Sequence, residues 1–182
     1  MRRLIDVIYH VATSSKKIRN FFTPLGALFF ILLVFSLVVI GFLVDKLLGI
    51  DDLLPGWFSF ILAPPFFLAA VILIGWSVLM FFRAKGTPVP FNPPPRLVTI
   101  GPYAHVRNPM LTGVFALLLG IGGLLRSGSL LFIITPLFIL AMVLELKYIE
   151  EPELTKRLGQ DYIEYRKRTP MFFPNLGKIF KK

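Results

Sequence analysis

From Pro24 to Val44 the sequence carries no charged side chain, and Ser36 is its one hydroxyl residue. A helix of that length has no polar face to turn to water, whereas about 20 apolar residues are what a helix needs to cross a bilayer. Three further apolar runs follow, at residues 58–82, 110–125 and 130–149. With 55% of residues hydrophobic and 16% charged, the chain has too little polar surface to cover a soluble core. The expected fold is an all-α integral membrane protein, one domain with about four transmembrane helices.

The breaks between the runs set its organisation. Asp45-Lys46 closes the first span, and a short loop through Asp51, Asp52 and Pro55-Gly56 leads to Trp57, an aromatic anchor at the interface. Pro64-Pro65 kinks the second span, which Arg83 and Lys85 close. Residues 83–109 form a loop; its five prolines between Pro88 and Pro95 forbid a regular helix and leave carbonyls that the loop does not bond internally. Arg126 to Ser129 is a tight turn, so the third and fourth spans form an antiparallel hairpin, with Gly113, Gly120, Gly122 and Gly123 permitting close approach. Residues 1–23 read as a basic arm with a short interfacial helix, and no cleavage site for a signal peptide follows its apolar positions. In the tail, residues 150–182, the stripe Leu154, Leu158, Tyr162 and Tyr165 predicts an amphipathic helix that Pro170 ends.

The net charge of +10 sits at the ends of apolar runs and not on a polar, aromatic-laced face, which argues against nucleic acid as partner. Arg2, Arg3, Lys16, Lys17 and Arg19 mark the N-terminal arm; Arg83, Lys85, Arg96 and Arg107 mark the central loop; a basic excess marks the tail. The opposite loops hold only Lys46 and Arg126 against three aspartates. By the positive-inside rule both termini face the cytoplasm of a bacterial or archaeal-type inner membrane. Without cysteine, and with His10 and His105 far apart, the chain shows no metal-ligand spacing.

Two polar clusters then fall at one end of the hairpin. The first is Gly101-Pro-Tyr-Ala-His-Val-Arg-Asn-Pro-Met-Leu-Thr-Gly113; the second is Glu150-Glu151. Arg107 offers a forked donor to a carboxylate or phosphate, and Pro109 opens a helix whose first free N–H groups point the same way. Asn108 adds a donor and an acceptor, Tyr103 a ring face, and the glutamates negative charge. Such a pocket suits a ligand bearing both signs of charge. Taken singly, an arginine at a helix mouth snorkels to headgroups and a glutamate pair is a solvated stop. Their pairing on one hairpin favours a site.

The pattern Gly101-Pro-Tyr-x-x-x-Arg-Asn-Pro-x-x-x-Gly113, then Glu150-Glu-x-x-Leu-x-x-x-x-Gly-x-x-Tyr-x-x-Tyr165 and Pro170, resembles the isoprenylcysteine carboxyl methyltransferase and phospholipid methyltransferase group over about residues 58–175. Gly86-Thr-Pro-x-Pro-Phe and Leu97-Val-x-x-Gly101 are similar to its small bacterial members. The resemblance implies a membrane enzyme with S-adenosylmethionine as cofactor, and a lipid or small hydrophobic molecule as acceptor. It implies cofactor contacts from Arg96, Leu97, Val98, Tyr103, Asn108, Pro109, Met110, Leu111, Glu150 and Glu151, with Arg107, Asn108 and Glu150 central to catalysis. The chain departs from the group in three places: Asn108 replaces a histidine, Leu111 an aromatic, and Leu146 an arginine that contacts substrate in the eukaryotic carboxyl methyltransferases. O- or S-methylation, with a carboxylate among the acceptors, is the expected reaction. N-methylation of a phospholipid amine and a non-catalytic scaffold keeping the cofactor pocket stay open beside it.

Overall fold

Helix α2 is the longest in the computed structural model, which describes residues 2–50 and 55–174. The described elements are helical: α1 (Arg2–Ala12), α2 (Lys16–Leu48), α3 (Gly56–Arg83), a 3₁₀ turn at Gly101–Ala104, α4 (Pro109–Leu124), α5 (Thr135–Glu145), α6 (Glu151–Leu158) and α7 (Gln160–Arg168). Leu130–Ile134 and Leu146–Glu150 are π-helical and join α5 to its neighbours, so that Leu130–Leu158 runs as one helix. Three helices, Lys16–Leu48, Gly56–Arg83 and Leu130–Leu158, are long and apolar enough to cross a membrane. Helix α4, at 16 residues, spans only ~24 Å at 1.5 Å per residue, short of the ~30 Å hydrocarbon core.

Two boundaries differ from the sequence expectation. Residues 16–23 belong to α2 and not to a separate arm, because helical geometry passes through Pro24 without a break. Asp45 lies inside α2 and is buried. The helix continues to Leu48 and ends at Gly49, whose φ of 63° needs a residue without a side chain. Asp51 and Asp52 lie outside the described residues, as do residues 175–182 of the tail.

Helix α4 is held tightly against α3. A Cβ placed on Gly113 would stand 2.8 Å from Ile74 Cγ1 and 3.0 Å from Leu73 Cβ, which no relaxed contact allows. Gly120 and Gly123 also face α3, at Phe67 and Leu62. Gly122 alone of the four turns toward the fourth span, where its Cβ would meet Leu131 at 2.9 Å. The glycines expected to serve the hairpin therefore serve mainly the α3–α4 contact. Val114, Phe115, Leu118, Leu130 and Phe138 form the buried core, with Phe115 edge-on to Phe138 at 5.9 Å. Helix α2 lies at the periphery and exposes Phe29, Ile31 and Phe35, side chains suited to lipid and costly in water.

At the α4–α5 turn a buried carboxylate replaces water as acceptor. Asp45, 3% exposed, accepts hydrogen bonds from the Ser127 hydroxyl and, at 2.8 Å, from the Ser129 amide. Ser127 Oγ in turn accepts from the Leu130 amide at 3.0 Å. Asp45→Ala orphans both donors at about 1–3 kcal/mol each. Its midpoint of thermal unfolding in detergent should fall well below that of Asp45→Asn, which keeps one acceptor oxygen.

Candidate functional site

The proline-rich loop reaches the site by folding on itself. The Thr87 amide donates to the Asn92 carbonyl at 2.8 Å, the Thr87 hydroxyl donates to the same oxygen at 3.0 Å, and the Asn92 amide donates to the Val89 carbonyl at 3.0 Å. The loop therefore does satisfy backbone groups internally, contrary to the expectation from its prolines. Phe91 packs on Phe22 at 5.7 Å, which fixes this loop against α2. Arg96 is exposed and Leu97 and Val98 are half-buried in the extended stretch beyond it. The structure brings none of these three into the hydrogen bonds or ion pairs described below.

Gly101 turns the chain with φ +60°, and a Cβ there would stand 2.9 Å from Trp76 Nε1. This close approach seats Tyr103 on α3, edge-on to Phe81 at 5.3 Å. Tyr165 on α7 donates its hydroxyl to the Tyr103 carbonyl at 2.7 Å. Burial pushes the phenols of Tyr103, Tyr162 and Tyr165 up from their ordinary range, and Glu150 adds to the rise at Tyr103. All three stay neutral at physiological pH.

The first turn of α4 is held by the segment that follows α7. The Arg107 amide donates to the Pro170 carbonyl at 2.8 Å and the Asn108 amide to the Met171 carbonyl at 3.1 Å. Asn108 Nδ2 reaches the Met171 carbonyl at 3.5 Å, and the side chain does not cap α4. Phe172 locks this strap into the core against Phe115 at 5.4 Å. Pro109 is buried at the first helical position, and the amides of Met110 and Leu111, as first-turn groups, have no partner within the helix.

Across from that turn Arg107 Nη2 stands 2.9 Å from Glu151 Oε1, with the two side chains 11% and 10% exposed. The contact pairs the charges without the alignment of a hydrogen bond, and Arg107 Nε and Nη1 are buried with no partner. Glu151 Oε2 accepts from Arg166 Nη1 at 3.3 Å. Tyr162 lies beside this group and feels the charges of Glu151, Arg107 and Arg166. The two clusters thus meet, but through Glu151; Glu150 makes itself felt at Tyr103 and Tyr162. A register shift accounts for this. The π-helical turn at Leu146–Glu150 bonds i to i+5 and so displaces the residues after it relative to an α-helix.

The tail helix also departs from expectation. Gly159, at φ 60° and ψ −133°, breaks it into α6 and α7. The Tyr162 and Tyr165 face folds back on the protein and is buried, where an interfacial helix would turn it to the membrane. Sequence reading missed Arg166 and the carbonyls of Pro170 and Met171. A backbone carbonyl carries no side-chain signal, whereas the Tyr162–Tyr165 stripe did point at an inward-facing surface.

A family comparison decides what kind of chain carries this geometry. Residues 58–161 match phospholipid methyltransferase. The chain belongs to the phospholipid methyltransferase family. The matched stretch includes α3, α4, the Gly101 turn and Glu151, so both halves of the ion pair fall within the family's own region. The chain is also similar to the nickel-cobalt-cadmium resistance protein NccN of Alcaligenes xylosoxydans xylosoxydans, 34% identical over 102 residues. That alignment covers 56% of this chain and 43% of NccN, so the chain spans less than half of that relative. No solved structure matches.

Removing one member of a buried pair strands the other charge, at a cost of about 3–5 kcal/mol where no water reaches it. Glu151→Ala should therefore lower the unfolding midpoint more than Glu150→Ala does, as read by differential scanning fluorimetry in detergent.

Proposed function

We propose that the protein is a membrane methyltransferase that uses S-adenosylmethionine and acts on a lipidic or small hydrophobic acceptor. The observation that carries this reading is the buried Arg107–Glu151 contact at the mouth of α4, inside the stretch matched to the methyltransferase family. The donor set fits the cofactor: Arg107 Nε and Nη1 are buried donors without partners, and a carboxylate is what a guanidinium fork accepts best. The first-turn amides of α4 add positive potential for the same anion.

When bound, the cofactor supplies an activated methyl group on a sulfonium. The chain's own residues bind, orient and exclude water. Arg107 would hold the carboxylate, Glu150 and Glu151 would offer acceptors to ammonium or hydroxyl groups, and Asn108 would orient without handling a proton. Arg96, Leu97 and Val98 would line the approach, and Tyr103, Pro109, Met110 and Leu111 would supply apolar walls. Displacement at a sulfonium needs little acid–base help, and in-line placement of this kind supplies about 7–11 kcal/mol in favourable intramolecular cases. O- or S-methylation fits that economy. Four spans with both termini cytoplasmic agree with the basic residues at Arg83, Lys85 and Lys16–Arg19, with α4 sunk behind α3 as the short fourth member.

The family's description favours a second reading, N-methylation of a phospholipid headgroup amine. That amine must lose a proton first, and Asn108 supplies no base. The relative NccN is named for nickel, cobalt and cadmium resistance, and among the described residues of this chain no three of His, Cys, Asp or Glu gather to hold a metal.

Tritiated S-adenosylmethionine should bind the purified protein, and Arg107→Ala should weaken binding by tenfold or more, about 1.4 kcal/mol per decade. Wild-type affinity in both Arg107→Ala and Glu150→Ala would remove the site assignment. Lipid extracts of an expressing host separate the two readings, because headgroup N-methylation adds mono- and dimethylated amines and acceptor O- or S-methylation does not.

A further inference from the structure

Glu151 is shared by two guanidinium groups of unequal burial. Its Oε1 stands 2.9 Å from Arg107 Nη2, and its Oε2 stands 3.3 Å from Arg166 Nη1. The Arg107 side chain is 11% exposed and that of Arg166 is 43% exposed, so the nearer cation is enclosed while the farther one opens to solvent. The next carboxylate along the same face, Glu153, is taken by Arg157 at 2.8 Å. In the three-way contact two positive charges therefore meet one negative charge, and Arg107 Nε and Nη1 keep no hydrogen-bond partner.

An anion arriving at Arg107 meets an obstacle that burial creates. Glu151 already compensates this guanidinium, and a second carboxylate on the same fork crowds like charges where little water screens them. The repulsion falls if Glu151 leans on another cation. Arg166 is placed for that. It already touches Oε2, at a distance long enough to shorten, and its exposed guanidinium can shift at little desolvation cost. Its backbone is anchored on both sides to the segment that carries Arg107. Tyr165, one residue earlier, donates its hydroxyl to the Tyr103 carbonyl at 2.7 Å, and the carbonyl of Pro170, four residues later, receives the Arg107 amide at 2.8 Å. Side-chain movement alone then suffices. Arg166 also lies outside residues 58–161, the stretch that matches the family.

We infer that Arg166 is a positioning residue that takes over Glu151 when a ligand carboxylate pairs with Arg107, so that the buried ion pair exchanges partners and does not break. The inference rests on the reading of Arg107 as the grip for the carboxylate of S-adenosylmethionine, and it names what controls that grip. Without ligand, Glu151 compensates Arg107. With ligand, the four charges form two pairs, carboxylate with Arg107 and Glu151 with Arg166, and none is left stranded.

The test is equilibrium binding to the full chain in maltoside detergent, with S-adenosylmethionine and with decarboxylated S-adenosylmethionine, which keeps the sulfonium and the amine. Arg166→Ala should weaken S-adenosylmethionine about fivefold and leave the affinity for the decarboxylated compound unchanged. Arg166→Lys should restore most of the loss, since it keeps a cation beside Oε2. Lys167→Gln, which removes the same charge from the exposed neighbour, should change neither affinity. In a Glu151→Gln background Arg166→Ala should have no further effect, because the charge it serves is gone. The unfolding midpoint of Arg166→Ala should stay near wild type, which separates exchange from a loss of fold. Equal losses for the two ligands, or an undiminished loss in the Glu151→Gln background, overturn the exchange. S-adenosylmethionine failing to bind the wild-type chain overturns the methyltransferase reading and this inference with it, whereas binding that Arg166→Ala leaves intact overturns this inference alone.

Discussion

One charge contact organises the functional end of the molecule. Arg107, at the mouth of α4, and Glu151, where the Leu130–Leu158 helix leaves its apolar stretch, are each about one-tenth exposed and depend on each other for compensation. Neither helix could end there alone without stranding a charge. Around the pair, Arg166 takes the second carboxylate oxygen, Tyr162 and Tyr165 supply an uncharged buried wall, and the Pro170–Met171 strap ties the α4 amides. The guanidinium keeps two buried nitrogens without a hydrogen-bond partner.

The opposite end of the hairpin solves the same problem without leaving donors over. Asp45 meets the Ser127 hydroxyl and the Ser129 amide, and Ser127 passes a bond on to the Leu130 amide. That arrangement tethers peripheral α2 to the α4–α5 turn. Between the two ends, the glycines of α4 let it sit against α3 with no side chain in the gap. A helix too short to cross a bilayer by itself is in this way fixed by packing, and its mouth is held where Arg107 and Glu151 meet.

Several elements were legible before any fold was known, for reasons of covalent and local chemistry. The uncharged run from Pro24 to Val44 admits little besides a lipid-facing helix, and Pro109 with Arg107-Asn108 marks a helix start. The spacing of the two motifs led to the family, which the match over residues 58–161 bears out. The partners of Asp45 were not legible, because an aspartate at the end of an apolar run looks the same whether water or a serine receives it. The proline-rich loop was misread because Asn92 turns back to Thr87, a contact its prolines do not announce.

The sequence by itself determined composition-driven properties: helical content, membrane character, and which polar residues had to be gathered at one end. These follow from desolvation costs that each segment incurs wherever it packs. Only the tertiary structure decided that Glu151 and not Glu150 faces Arg107, since a π-helical turn shifts register by hydrogen bonds the side chains do not encode. It alone set the Asp45–serine tether and the strap of carbonyls over α4, because both join residues far apart in the chain. The glycines likewise needed neighbours to define their purpose. A missing side chain means close approach, and only the packed helix says to what.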